Sequence, residues 1–136
     1  MSSMVRFGVN KLLRDNIPLL KEKNEIVIHQ KKLDPQSFIA ELKKKLIEEA
    51  DEVRTAHDDT LLEELADVLE VMQALLKTHN YSWDQLEQIR IDKRAHRGGF
   101  DQQLYIEYVE VPIDSNAYRY MIQHPDKYPV IKKPRP

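Results

Sequence analysis

The stretch that decides the fold is LLEELADVLEVMQALL, at residues 61–76. A helix over this stretch is apolar around most of its circumference, so nearly every side of it needs cover. The pattern therefore predicts the central helix of an all-α protein, extending to about His79. Thr60 and Glu63, three residues apart, form a capping-box pattern that predicts where this helix begins.

A second helix is predicted immediately before this stretch. Asp34 and Pro35 offer an N-cap followed by proline at the first helical position. From residue 36 to about residue 55, apolar residues recur at steps of three and four, as they do on an amphipathic helix. Only a short connector follows it, at residues 57–59. The two helices are therefore expected to pack as an antiparallel hairpin.

A third helix is predicted after the central one. Ser82 and Gln85 form a capping-box pattern that opens a helix running through about His96. Gly98-Gly99 is expected to end it, because glycine readily adopts the conformation that terminates helices.

The remaining segments predict smaller features. Residues 10–24 are expected to form a short helical entry segment. Residues 25–30 and 104–111 are rich in Ile, Val and Tyr and predict two short strands that pair as a β appendage. These elements make up a helical domain at residues 1–111. Residues 112–136 hold five of the seven prolines and predict an extended Pro/Tyr-rich C-terminal tail.

The apolar central helix also predicts a homo-oligomer. Two neighbouring helices within one chain cannot cover it completely. Pairing of two hairpins about a two-fold axis completes a four-helix core, in a dimer or a dimer of dimers. The expected fold class is thus an all-α helical hairpin bundle completed by oligomerisation.

Composition excludes several classes of protein. The 136-residue chain fits one domain, and its net charge of −2 argues against a nucleic-acid binder. No apolar stretch is long enough to span a membrane, and residues 1–9 do not resemble a secretory signal. With no cysteine, the chain has no disulfide or thiolate metal site, which is typical of cytoplasmic proteins. Three glycines leave no phosphate-cradling loop.

Two acidic clusters, EEADE at residues 48–52 and ELAD at residues 64–67, border the apolar stripes of the predicted hairpin. Each cluster holds a pair of carboxylates three residues apart, which face the same way on a helix. Antiparallel packing is expected to bring both pairs into one pocket: Glu49 and Glu52 with Glu64 and Asp67.

Such a pocket indicates a metal site. Uncompensated carboxylates at a helix seam repel one another and are costly to bury. A hard divalent cation removes that conflict, because magnesium prefers oxygen ligands and shares its coordination shell with substrate phosphates. A single glutamate is more often an exposed helix former, but no Lys or Arg interrupts either cluster. The pattern therefore favours a magnesium-dependent enzyme acting on a phosphorylated substrate.

The acidic motifs carry a resemblance to a known family. Glu48-Glu49-x-x-Glu52 followed by Glu64-x-x-Asp67 resembles the two-part signature of the MazG-like, all-α nucleoside triphosphate pyrophosphohydrolases. NKLLRDNIP at residues 10–18 is similar to the start of a bacterial subgroup labelled phosphoribosyl-ATP pyrophosphohydrolase-like. RGGF at residues 97–100 is similar to the segment that follows the third helix there.

The resemblance implies hydrolysis of a nucleoside triphosphate between its α and β phosphates, giving the monophosphate and pyrophosphate. It implies that Glu48 orients a ligand or the attacking water. The implied ligands of magnesium, or of manganese as the alternative ion, are Glu49, Glu52, Glu64 and Asp67. A metal held there activates water and neutralises charge on the phosphates.

Four cations are candidates for binding the substrate phosphates. Arginines are the stronger candidates, because a planar guanidinium donates two hydrogen bonds to one phosphate. The four are Lys11, Arg14, Lys93 and Arg97.

Two other functions remain open at this stage. The subgroup's label suggests hydrolysis of phosphoribosyl-ATP, although similarity of fold is weak evidence for a substrate. The chain could instead be a non-catalytic helical assembly module that binds nucleotide. The intact acidic motifs count against that second alternative.

Overall fold

The computed structural model describes residues 3–132, and within that range the chain is all-α, as predicted. No helix in this range has the length and apolar character needed to cross a membrane. The helices are α1 (Ile17–Glu22), α2 (Pro35–Thr55), α3 (Leu61–Thr78), α4 (Trp83–Arg97) and α5 (Asn116–Ile122).

The chain divides into two compact units at the end of α4, between Arg97 and Gly98. The first unit contains α1 to α4, and the second contains α5. The predicted domain boundary after residue 111 falls inside the second unit. The segment predicted as an extended tail contains helix α5, and its residues 133–136 lie outside the part of the chain that the structure describes.

Helices α2 and α3 form the predicted hairpin and share the main helix–helix interface of the first unit. The Asp34 carboxylate accepts a hydrogen bond of 2.8 Å from the Ser37 N–H, and Pro35 is the first residue of α2, as predicted. Leu42 on α2 and Val71 on α3 are the buried apolar residues at this interface, 5% and 8% exposed. The hairpin core is therefore thin.

The capping boxes differ in their hydrogen bonds. Ser82 forms the predicted reciprocal pair: the Gln85 N–H donates to Ser82 Oγ at 3.1 Å, and the Ser82 N–H donates to Gln85 Oε1 at 2.7 Å. Thr60 is the N-cap of α3, but its side chain makes no cap hydrogen bond. Its hydroxyl donates instead to the His57 carbonyl at 3.2 Å, because the connector turns tightly there. The position predicted from the Thr60 box was correct and its hydrogen bonds were wrong.

The helix end at the glycines is confirmed. Gly98 follows α4 directly and has φ of +81°, in the left-handed region that glycine adopts without steric cost.

Neither predicted strand forms. Residues 25–30 and 104–111 have no regular secondary structure, and no strand pairs with either within residues 3–132. The prediction of a β appendage is therefore corrected. High β-propensity describes side chains that fit a pleated surface, and it produces a strand only where a partner supplies the hydrogen-bonded ladder. The entry segment is helical only in α1, whose first turn contains Pro18.

The central helix is less covered than its sequence predicts. Val71 is the buried residue of α3. Leu62 is 79% exposed, and Leu65 and Leu69 are also exposed. The predicted burial of α3 is thus not achieved by the neighbouring helices of one chain.

We expect a second copy to supply that cover, so sedimentation equilibrium should give the mass of two or four chains. Leu62→Glu should shift the equilibrium towards the monomer, because a charge replaces an apolar side chain at the surface to be covered. Glu63→Gln is the matched control and should leave the mass unchanged. A monomer at micromolar concentration would contradict the expectation.

The N-cap of α2 allows a second test, on stability. Asp34→Ala should lower Tm, whereas Asp34→Asn should retain most of it, because an amide oxygen also caps. The hydrogen bonds from the Ser37 backbone and side chain lower the pKa of Asp34. The charge-dependent stabilisation is therefore complete above the ordinary aspartate pKa of about 3.9 and is lost as the pH falls through the lower folded value.

The measurement is a series of thermal melts between neutral and strongly acidic pH. The difference in Tm between the parent and Asp34→Asn should shrink as the pH falls below the folded pKa. A difference that does not change with pH would show that the charge of Asp34 does not contribute.

Candidate metal centre

Three carboxylates meet across the hairpin. Glu49 on α2 and Glu64 and Asp67 on α3 each place one oxygen within 4.8 Å of the oxygens of the other two, and all three side chains are half-buried. The i, i+3 spacing of Glu64 and Asp67 turns both towards α2, where Glu49 faces them. We call these three residues the acidic triad.

Glu52, the fourth predicted ligand, is not a member of the acidic triad. It is exposed, while Glu49 is half-buried. On a helix with 100° per residue, Glu52 lies about 120° from the centre of the apolar stripe and Glu49 about 60° from it. Three of the four carboxylates predicted to converge therefore meet in the structure, and the assignment of Glu52 as a ligand stays a prediction from the sequence. Glu52 is still near enough for its charge to raise the pKa of Glu64.

Burial and nearby negative charge both disfavour the ionised form of Glu64. Its partial burial raises its pKa, and the negative charges of Glu52, Asp67 and Glu49 raise it further. Within residues 3–132 no cation forms an ion pair with Glu64. Among the described residues, the surroundings of Glu64 thus contain nearby negative charges and no paired cation.

Two predicted phosphate-binding residues contact the acidic clusters through their side chains. Lys11 Nζ lies 3.0 Å from Glu48 Oε1, and Arg14 Nη2 lies 2.8 Å from Asp67 Oδ1. The hydrogen bond and charge of Glu48 raise the pKa of Lys11, and the hydrogen bond from Lys11 lowers the pKa of Glu48. The segment before α1 therefore folds back onto the acidic side of the hairpin.

A third cation, Lys45, also contacts these carboxylates and was missed by sequence reasoning. Lys45 Nζ lies 3.5 Å from Glu48 Oε2 and 3.4 Å from Glu49 Oε1. The signal was available, because lysine three and four residues before two glutamates places all three on one helix face.

The other two predicted phosphate ligands make no such contact. Lys93 and Arg97 are exposed on α4, and within the described chain neither forms an ion pair. Their assignment remains a prediction from the sequence.

The acidic triad fits a hard divalent cation. Magnesium–oxygen distances near 2.1 Å place neighbouring and opposite ligand oxygens of an octahedron about 3 to 4.2 Å apart. The oxygens of the acidic triad lie within 4.8 Å of one another, which is close to that spacing and fits three positions of such an octahedron. Carboxylate oxygens are also the ligand type that magnesium and manganese accept.

Two clefts border α2, and neither includes a residue of the acidic triad. A cleft of about 80 Å³ separates α2 from the segment around Lys11. The larger one, of about 550 Å³, is an open surface along one side of α2, lined only by residues of that helix: Lys44, Ile47, Glu48, Ala50, Asp51 and Arg54. Binding pockets for drug-sized molecules are typically 300–1,000 Å³. The cleft between the N-terminal segment and α2 is thus too small for a nucleotide.

Comparison with known proteins leaves the family open: no protein-family model, curated protein or solved structure matches this chain significantly. The similarity to MazG-like enzymes therefore consists of the motifs quoted above.

The repulsion at Glu64 allows a direct test. A group whose folded pKa is raised contributes stability below its unfolded pKa and loses it as the pH rises through the folded pKa. At pH 7 without metal, Glu64→Gln should therefore melt at a higher temperature than the parent. Magnesium should raise Tm for the parent and have little effect on the variant, because a ligand is lost.

Glu70→Gln is the matched control, since Glu70 is an exposed glutamate on the same helix. It should keep the parent's response to magnesium. If Glu64→Gln also keeps that response, Glu64 does not bind the ion.

Proposed function

We propose that this protein is a magnesium-dependent nucleoside triphosphate pyrophosphohydrolase. It adds water across the α–β phosphoanhydride and releases the nucleoside monophosphate and pyrophosphate. The observation that carries the proposal is the acidic triad, with Arg14 and Lys11 at its edge. Ligands for a hard cation and side chains that bind phosphate thus lie side by side.

The acidic triad has the role of holding the metal. Glu49, Glu64 and Asp67 supply three oxygens, and Glu52 is proposed as a fourth ligand on the basis of the sequence. When bound, magnesium or manganese polarises the phosphate oxygens and lowers the pKa of a bound water. Because the carboxylates lie on two packed helices, their positions are set before the substrate arrives, which favours catalysis.

Glu48 has a different role. Lys11 and Lys45 both contact its carboxylate, and the hydrogen bond from Lys11 lowers its pKa. Glu48 is therefore ionised at neutral pH and can only accept hydrogen bonds. An ionised acceptor next to the acidic triad is suited to orient the attacking water, whose two hydrogens need acceptors.

Arg14 and Lys11 have the role of binding the phosphates. Arg14 presents a planar guanidinium that can donate two hydrogen bonds to a phosphate group. Lys11 supplies a compact charge that adapts to different positions. Both come from one segment, so they approach the substrate from the same side. Lys93 and Arg97 are proposed as further phosphate contacts on the basis of the sequence alone.

These contacts concern the metal and the phosphates, so they do not distinguish one base or sugar from another. Phosphoribosyl-ATP contains the same anhydride, so the same residues could hydrolyse it. The enzyme is proposed to act in the cytoplasm as a homo-oligomer, without nucleic-acid or membrane partners.

The test measures pyrophosphate release from ribo- and deoxyribonucleoside triphosphates and from phosphoribosyl-ATP. Magnesium should be required. In ¹⁸O-labelled water, label in the monophosphate would mean attack at the α phosphorus, and label in pyrophosphate would mean attack at the β phosphorus. Release of orthophosphate in place of pyrophosphate would refute this reaction, and no turnover of any substrate would favour the non-catalytic module.

Variants of the acidic triad should abolish that turnover while the helices remain folded. Glu49→Gln and Asp67→Asn should each lose more than the ten- to hundred-fold that removal of an outer partner of a metal ligand costs. Glu70→Gln is again the control and should retain the parent's rate. Far-ultraviolet circular dichroism checks the fold, and full activity in either triad variant would contradict the assignment.

A further inference from the structure

The segment before α1 crosses both helices of the hairpin. We define the N-terminal strap as residues 10–16. Lys11 is 37 residues from its partner Glu48 on α2, and Arg14 is 53 residues from its partner Asp67 on α3. Two side chains three positions apart thus attach the strap to both helices.

The strap is attached mainly through polar contacts. Six of its seven residues are exposed, and none of the seven is buried. A cleft of about 80 Å³ lies between it and α2. A segment with few buried apolar contacts has a low free energy of local opening. Its position therefore depends on the two ion pairs.

We propose that the N-terminal strap is an electrostatic latch that magnesium opens. Without metal, Arg14 neutralises Asp67 and holds the strap on the acidic side of the hairpin. Metal binding by the acidic triad releases Arg14, which then contacts the substrate phosphates together with Lys11. The second step rests on the proposed function, whereas the first needs only the ion pairs and the metal.

Competition at Asp67 is the reason for the release. Asp67 carries one negative charge, and Arg14 already donates to its Oδ1 at 2.8 Å. Asp67 is also one of the three carboxylates of the acidic triad. A divalent ion on this carboxylate repels the guanidinium and withdraws the charge that attracts it.

Lys11 is held by the same electrostatic field. The charges of Glu48, Glu52 and Glu49 all raise its pKa. A divalent cation in the acidic triad offsets the negative potential of these carboxylates, which weakens the attraction for Lys11 as well.

The two ion pairs are weak enough for Arg14 and Lys11 to change partners. The side chains of Arg14 and Asp67 are 59% and 42% exposed, and Lys11 is exposed too. Exposed ion pairs change an equilibrium constant by only about two- to five-fold. The strap therefore lowers magnesium affinity slightly without preventing binding.

The alternative is that Arg14 supports the metal site from outside. It would then stay on Asp67 and orient that carboxylate towards the ion, as outer-shell partners do. The two arrangements differ in sign: removal of a latch tightens metal binding, whereas removal of a support weakens it.

The first measurement is calorimetric titration with magnesium alone. Arg14→Gln should bind magnesium about two- to five-fold more tightly than the parent. Lys44→Gln removes the same charge from α2, where Lys44 pairs with Glu41 at 3.1 Å, and is the control for overall charge. Equal tightening in both variants, or weaker binding by Arg14→Gln, would overturn the latch.

The same variants are then titrated with a non-hydrolysable nucleotide at saturating magnesium. Arg14→Gln should bind it about ten- to a hundred-fold more weakly, since a charge-assisted phosphate contact is lost. The opposite signs of the two effects are the signature of a residue that exchanges partners. Nucleotide binding equal to that of the parent would overturn the transfer to phosphate.

The second measurement follows the strap itself. The chain has no cysteine, so Val9→Cys with Ile47→Cys carries spin labels only at two exposed positions. The labelled chain is mixed with an excess of unlabelled chain, so that an oligomer contains one labelled copy. Val9 adjoins the strap and Ile47 lies on α2. Without magnesium the distance distribution should be narrow, and with magnesium it should broaden and shift to longer distances. An unchanged distribution at saturating magnesium would overturn the latch.

These readouts separate the latch from the proposed function. A strap that moves with magnesium in a protein without turnover would support the latch and refute the enzyme. Pyrophosphate release with a strap that does not move would refute the latch alone. Failure to bind magnesium would refute both.

Discussion

Mutual repulsion of carboxylates is the constraint on which the rest of this structure depends. The hairpin places Glu49, Glu64 and Asp67 within 4.8 Å of one another, where each charge disfavours the others. Packing around Leu42 and Val71 is the main force that holds the two helices together. The chain reduces the repulsion with cations from α2 and from the N-terminal strap. The pKa of Glu64 is raised, first by its partial burial and then by the negative charges of its neighbours.

Local signals predicted the helices well, because each depends on residues within one turn. The Asp34 cap, the Ser82 capping box and the Gly98 terminus all form where the sequence places them. Thr60 shows the limit of such signals. Its hydroxyl has two possible local partners, the first turn of α3 and the His57 carbonyl. The tight connector places the His57 carbonyl within hydrogen-bond distance, and the hydroxyl donates to it.

Features that need a distant partner could not be predicted in this way. The strands at residues 25–30 and 104–111 required a ladder that their own composition cannot supply. The sequence predicted four carboxylates at the seam, and three of them meet there, because i, i+3 spacing and a short connector bring them together. The contacts of Lys11 and Arg14 could not, since they span 37 and 53 residues and depend on how the strap folds back. The contacts of Lys45 with Glu48 and Glu49 could be predicted, because they depend only on the helix spacing.

The cations also explain how the three carboxylates of the acidic triad can lie together without a metal. Carboxylates left unpaired would attract magnesium strongly but would destabilise the hairpin whenever the ion is absent. Pairing with exposed cations offsets that destabilisation, and exposed pairs lower metal affinity only a few-fold. If the acidic triad holds a metal as proposed, the exposure of Arg14 and Lys11 would let these two cations give way to the ion.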